Sequence, residues 1–162
     1  MVVAGAHGGA GTTTLSALLG AAWDMGSVLD PDPAYAPVRA HGRPLIVVCR
    51  NSVPAARHAT RAVTALHACG ERISALAIVS DGAGGEPADA STRFALLEGR
   101  VGGTVRIPFV PALRLVDDPN GVALPGRARR ALANLTDLIT NQPQAPKGPL
   151  SITTTQEAPC PF

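Results

Sequence analysis

A run of glycine and threonine near the amino terminus offers the chemistry of a phosphate-binding loop. Residues 6–14 read Ala-His-Gly-Gly-Ala-Gly-Thr-Thr-Thr, and they follow an apolar segment that begins at Val2. Glycines let successive backbone N–H groups point into one concavity, and the N-terminus of a following helix adds partial positive charge there. The order of apolar strand, glycine loop and helix over 12–19 therefore predicts a cradle for an anion such as a phosphate.

This segment resembles the deviant Walker A loop of the ParA/MinD family of partition and positioning ATPases, which are SIMIBI-class P-loop proteins. The loop of that family reads Gly-Lys-Gly-Gly-Val-Gly-Lys-Thr-Thr. The matching positions are Gly8, Gly9, Gly11, Thr13 and Thr14. Ala6 stands in place of the first glycine, His7 in place of the signature lysine and Thr12 in place of the Walker lysine. The resemblance implies that a nucleotide phosphate would be bound by the residues Gly8, Gly9, Ala10, Gly11, Thr12, Thr13 and Thr14.

The missing lysine has a calculable consequence. A charge-assisted hydrogen bond contributes about 1.5–3 kcal/mol, which is on the order of ten- to hundredfold in affinity. A cationic group on a transferring phosphoryl group acts mainly on the transition state, at roughly 10²–10³ in rate. Because Thr12 cannot supply this charge, the sequence predicts little or no ATP hydrolysis. The resemblance leaves ATP or GTP with Mg²⁺ as a possible ligand, the Thr13 hydroxyl then contacting the metal.

Two aspartates are candidates for a catalytic role. Val28-Leu29-Asp30-Pro31-Asp32-Pro33 resembles the D-x-D-P segment of the family, so Asp30 is the position that would orient an attacking water. The strand that normally precedes that aspartate is reduced to almost nothing, and a Pro/Asp turn is the alternative interpretation. Asp81 also follows an apolar strand, but a turn or a helix N-cap is expected there. No segment matches the Walker B strand of the family.

A basic face is a further candidate site. Arg127, Arg129 and Arg130, with Arg114, could lie together near the last helix and hold DNA or a protein partner. ParA-type proteins are similar in using surface basic residues to bind DNA non-specifically. A solvated helix face is the alternative, since the net charge of +2 does not by itself indicate a nucleic-acid binder.

The pattern of the chain predicts an α/β fold. Apolar runs alternate with helical periodicity, which indicates a small parallel sheet of four or more strands with helices on both faces. The resemblance implies that this sheet is a truncated ParA/MinD-like P-loop architecture. The predicted strands are 2–6, 45–49, 73–79 and 104–110, and the predicted helices are 12–19, 53–67, 88–100 and 127–140. Prolines and glycines predict a long loop over 24–43. Residues 1–140 are expected to form the domain and 141–162 a disordered tail.

Composition sets the remaining expectations. At 162 residues and 3% aromatic side chains, the chain suits one domain with a core of alanine, valine, leucine and isoleucine. Cys49 and Cys69 lie in apolar stretches, as buried reduced thiols do. No run in the sequence approaches the roughly 18 apolar residues of a membrane span. We therefore expect a cytoplasmic protein. The Ala/Gly/Arg bias is typical of high-GC bacteria, actinobacteria among them.

Three functions are compatible with these residues. The leading hypothesis is a catalytically degenerate ParA/MinD-like protein, a pseudo-ATPase that keeps the fold as a binding or assembly module. The second is a true nucleotide-binding switch in partition, conjugation or secretion, with positive charge supplied by arginine from a partner or a second copy. The third is a structural protein that self-assembles through its helix faces. A protein partner or a homo-oligomer is expected in each case.

Overall fold

The described residues form one parallel sheet. The structure is a computed structural model and describes residues 1–29, 38–82 and 84–141. Its strands are β1 (Val2–Gly5), β2 (Trp23–Ser27), β3 (Leu45–Arg50), β4 (Ile73–Val79) and β5 (Thr104–Ile107). Their order across the sheet is β2-β1-β3-β4-β5, and all neighbouring strands are parallel. The predicted α/β class with a parallel sheet of four or more strands is confirmed.

Helices cover both faces of this sheet, as predicted. They are α1 (Thr12–Leu19), α2 (Val53–Ala68), α3 (Ala88–Ala95) and α4 (Gly126–Thr140). The helices α2 and α3 pack on one face, and α1 and α4 pack on the other. Strands that are buried on both sides need apolar residues at every position, which explains the unbroken run Leu45-Ile46-Val47-Val48-Cys49.

The core is built from small side chains, as the scarcity of aromatic residues predicts. On α2 the buried positions include Ala56, Ala59 and Ala62, which bring the helix axis close to the sheet. Phe94 of α3 is the largest fully buried side chain of the described residues. One aromatic ring therefore fills much of the volume that the alanines leave on this face.

Residues flanking α2 show how local chemistry sets its start. Ser52 is the N-cap, and its hydroxyl accepts a hydrogen bond from the N–H of Ala55 at 3.3 Å. Pro54 lies in the first turn, where its missing N–H costs nothing. Arg57 and Arg61 of this helix are both exposed. The helix then runs to Ala68, one residue past the predicted end.

The strand β2 corrects the sequence-based interpretation of this region. We predicted a loop over 24–43 and almost no strand before Asp30, yet Trp23–Ser27 forms a strand that pairs in parallel with β1. It lies at the edge of the sheet and most of it is exposed. An exposed edge strand lacks the apolar run that marks a buried strand in a sequence. Gly26, at φ +69°, weakens the strand pattern further, because glycine is uncommon in strands.

Smaller corrections concern boundaries. The last strand ends at Ile107 and not at residue 110, because Pro108 lacks the N–H that would continue the ladder. The helix α3 ends at Ala95 and not at residue 100, and a 3-10 turn, Glu98–Arg100, follows. On α4, Ile139 is buried in the core and its neighbour Leu138 is half-buried.

The thiol of Cys49 confirms one expectation drawn from composition. It is free and fully buried, and burial raises its pKa to about 12, with the negative charge of Glu86 adding to the effect. Cys69, at the C-cap of α2, is only half-buried and is disulfide-bonded, so the expectation of a buried reduced thiol is wrong for this residue. None of the helices in residues 1–29, 38–82 and 84–141 has the length and apolar character needed to cross a membrane. Of the predicted tail, 141–162, only Asn141 is described, as the C-cap of α4, and 142–162 lie outside the described residues.

Candidate functional site

The glycine loop occupies the carboxyl edge of the sheet, at the point where the strand order reverses. The strand β1 has β2 on one side and β3 on the other, and parallel α/β sheets bind ligands at such a switch point. The loop, residues 6–11, connects β1 to α1, and the N–H of Ala6 bonds to the carbonyl of Val48 on β3 at 2.8 Å. The predicted strand, loop and helix are therefore present in the predicted place.

Backbone conformation in the loop leaves donors available. Gly9 and Gly11 have φ of +74° and +97°, a region that favours glycine, and Gly11 is an N-cap that makes no side-chain hydrogen bond. The N–H of Ala10 bonds to the carbonyl of His7 at 3.3 Å. Within the described ranges, no acceptor meets the backbone N–H groups of Gly8, Gly9, Gly11, Thr12, Thr13 and Thr14. These are the donors that an anion would need.

Thr12, at the position of the Walker lysine, points away from solvent. Its exposed fraction is 9%, and a Cβ added to Gly5 would lie only 2.7 Å from the Thr12 hydroxyl oxygen. The threonine is thus packed under the loop against β1, in space that exists because residue 5 is glycine. A side chain in this position adds no positive charge to the cradle.

Thr13, the predicted metal-side residue, is held by an aspartate that the sequence did not single out. Its hydroxyl donates a hydrogen bond to Asp24 Oδ2 at 2.7 Å, and Asp24 Oδ1 accepts from the N–H of Gly26 at 2.9 Å. The hydroxyl keeps its lone pairs, and a carboxylate with a hydroxyl suits Mg²⁺ when ligand oxygens and waters complete the shell. Among the described residues there is no cluster of three or more potential metal ligands.

Arg50 places a guanidinium beside the loop. Its Nε donates to the carbonyl oxygen of Gly9 at 3.0 Å, and its backbone N–H faces His7 Nε2 at 3.4 Å. The other ring nitrogen of His7, Nδ1, lies 2.8 Å from the carbonyl oxygen of Gly8, which assigns the proton to Nδ1. The imidazole therefore acts as a link between the loop and β3, and the Arg50 guanidinium is hydrogen-bonded to the loop itself.

An apolar cleft opens next to these groups. Its volume is about 130 Å³, and it lies between α1, α4 and the carboxyl ends of β4 and β5. Leu15, Leu18 and Ile107 contribute apolar wall, while Arg50 and Arg114 bring positive charge to it. Arg114 also donates to the carbonyl of Asp81 at 3.2 Å. The arrangement suits a ligand that combines an apolar portion with an anionic group.

One wall of this cleft depends on a glycine. Phe109 lies across Gly82, whose φ is +85°, so closely that a Cβ there would meet the ring. Gly82→Ala is expected to lower the free energy of unfolding by about 2–4 kcal/mol, from left-handed strain and overpacking together. Gly84→Ala, at φ +119° with open space around it, carries the backbone cost without the ring contact. Equal losses in chemical denaturation would contradict the ring contact.

The other predicted site residues are not brought together. Asp30 lies outside the described residues. Asp81 does not cap a helix, because α3 begins at Ala88 after Pro87; its N–H bonds to Asn51 Oδ1 at 3.2 Å, and a bend at Gly82 follows it. Arg114 lines the apolar cleft, whereas Arg127 and Arg130 line a separate groove. The four predicted arginines, Arg114, Arg127, Arg129 and Arg130, are thus divided between different surfaces.

Asp24 and Arg50 were missed, although the sequence carries a signal for one of them. Arg50 is the first charged residue after a buried strand, and parallel strands deliver such residues to the ligand edge of a sheet. Asp24 had no comparable signal, because β2 itself was not recognised.

Comparisons with models of protein families, with curated proteins and with solved structures found no match to this chain.

Proposed function

We propose that this chain is a catalytically degenerate P-loop domain of ParA/MinD-like type, acting in the cytoplasm as a binding or assembly module with little or no ATP hydrolysis. The observation that carries the proposal is the placement of Thr12. The loop keeps its backbone donors, yet the residue at the lysine position is buried against Gly5. Such a loop holds an anion by dipoles and leaves the transition state of phosphoryl transfer without its usual cation.

The proposed partner is another protein or a second copy of the chain. Leu115 and Val116 are exposed by 84% and 43% and follow directly on the turn that carries Arg114. Two adjacent exposed apolar side chains beside the cleft support a contact there.

Phosphate release tests the absence of hydrolysis. Purified protein with ATP and Mg²⁺ is expected to release phosphate at the rate of a blank without protein, since the loss of one cationic clamp costs roughly 10²–10³ in rate. Gly11→Val, prepared in the same way, is the control for contaminating ATPases, because a side chain at φ +97° distorts the loop. Turnover in the natural protein that disappears in Gly11→Val would overturn the proposal.

A nucleotide-binding switch is the second candidate, and the position of Arg50 favours it. The guanidinium hydrogen-bonded to Gly9 could supply in the same chain the charge that Thr12 lacks. Thr13 and Asp24 would then be the residues beside a nucleotide-bound Mg²⁺. Micromolar affinity for ATP or GTP in isothermal titration, lost in Gly11→Val, would select this candidate. Turnover would in addition exclude the first candidate.

A further inference from the structure

The outer edge of β5 is available for pairing. This strand ends the sheet and pairs only with β4 among the described strands. The carbonyls of Gly103 and Ile107 accept hydrogen bonds from Leu76 and Ser80 at 2.9 Å each. Because the main-chain groups of alternate residues in a strand face opposite sides, those of Thr104 and Arg106 face away from β4. The unpaired N–H and C=O groups of such an edge can hydrogen-bond to another extended chain.

A positively charged groove runs along this edge. It is lined by residues 103–106 on the strand side and by Arg127, Arg130 and Asn134 on α4. Arg127 and Arg130 are three residues apart, so they share one face of the helix, and both are exposed. In the part of the chain that the structure describes, neither makes an ion pair or a hydrogen bond.

Arg106, in contrast, is already neutralised. Its Nε and one terminal nitrogen donate to the two carboxylate oxygens of Glu86 at 3.0 and 2.9 Å. The hydrogen bond from Arg106 keeps the pKa of Glu86 below its ordinary value, so this carboxylate stays charged and paired at neutral pH. The unmatched positive charge of the groove therefore belongs to Arg127 and Arg130.

We propose that this groove binds an acidic peptide in extended conformation, which adds to the edge of β5 as a further strand and places its carboxylates against Arg127 and Arg130. Two observations favour an acidic peptide. Its carboxylates complement the positive charge of the groove, and its extended backbone can pair with the open main-chain groups of Thr104 and Arg106. Nucleic acid would use the arginines but has no use for a strand edge, and no aromatic side chain lines the groove to stack a base.

Fluorescence anisotropy with labelled eight-residue peptides tests the proposal. The probe alternates glutamate with valine, and a lysine/valine peptide is its charge-reversed counterpart. We expect the acidic peptide alone to bind, and the double variant Arg127→Gln/Arg130→Gln to weaken it about five- to thirtyfold, the effect of two exposed ion pairs. Arg57→Gln/Arg61→Gln, an exposed pair on α2 with the same change in charge, is expected to bind as the natural chain does.

Hydrogen exchange adds a readout that charge alone would not move. On peptide binding, the amides of Thr104 and Arg106 are expected to gain protection, while that of Val105, which faces β4, stays unchanged. An acidic peptide with proline at alternate positions is expected to lose binding, since proline cannot donate to a ladder. Three results would each overturn the proposal: no binding, equal binding of the proline peptide, or an arginine-dependent affinity for duplex DNA without affinity for the acidic peptide.

Discussion

Phe94→Ala is expected to lower the free energy of unfolding by about 3–5 kcal/mol, the largest stability effect that we predict for a single substitution. The ring has no exposed surface and packs in the cluster that joins α2, α3 and the sheet. Its removal leaves a cavity in a region of alanines, and the alanine side chains are too short to fill that cavity. Urea denaturation followed by circular dichroism measures the difference.

Leu96→Ala is the matched control for that measurement. Leu96 lies two residues further along at the end of α3 and is 74% exposed, so its truncation is expected to change stability by no more than about 0.5 kcal/mol. A comparable loss in both variants would mean that α3 does not present Phe94 to the core, and would contradict the packing of this face.

Arg50→Gln is expected to reduce the affinity for ATP or inorganic triphosphate about ten- to hundredfold, which corresponds to the loss of one charge-assisted contact. The reason is the position of the guanidinium: its Nε lies 3.0 Å from the Gly9 carbonyl oxygen, beside loop N–H groups that meet no acceptor within the described residues. Isothermal titration at low ionic strength measures the affinities, because screening by salt weakens such contacts.

Arg57→Gln removes the same charge from an exposed site on α2 and is expected to leave the affinity within about twofold, since charges on an open surface are screened over roughly 10 Å at 0.1 M salt. Equal effects of the two substitutions would indicate attraction by net charge and no specific role for Arg50. An unchanged affinity in Arg50→Gln would show that the loop amides alone hold the anion.

Buried elements were predictable from the sequence because burial leaves a periodic trace. The observed bounds of β4 (Ile73–Val79) and α1 (Thr12–Leu19) coincide with the predicted ones. A strand covered on both faces must be apolar throughout, and a helix after a glycine loop starts where the glycines end. The edge strand β2 obeys neither rule, since most of its residues face solvent and its formation depends on pairing with β1.

The candidate site was predictable only in its local part. The loop is a contiguous segment, so its glycines are visible in the sequence. The contacts that complete it join residues distant in the chain: Asp24 reaches Thr13 through the pairing of β2 with β1, and Arg50 reaches Gly9 through the pairing of β3 with β1. No periodicity records which strand lies beside which. Asp24 therefore could not be identified beforehand, and Arg50 could be identified only as a residue at the ligand edge of the sheet, not as a partner of Gly9.

The thermal stability of the domain depends on whether a ligand binds the backbone N–H groups in the first turn of α1. A ligand that hydrogen-bonds to the amides of Thr12, Thr13 and Thr14 binds the folded chain and not the unfolded one, so it shifts the folding equilibrium by mass action. At a concentration one hundred times its dissociation constant, it raises the free energy of unfolding by about 2.7 kcal/mol. The melting temperature is therefore an assay in itself. Screening small phosphates and carboxylates for a rise in that temperature would rank natural ligands without any assumption about a reaction.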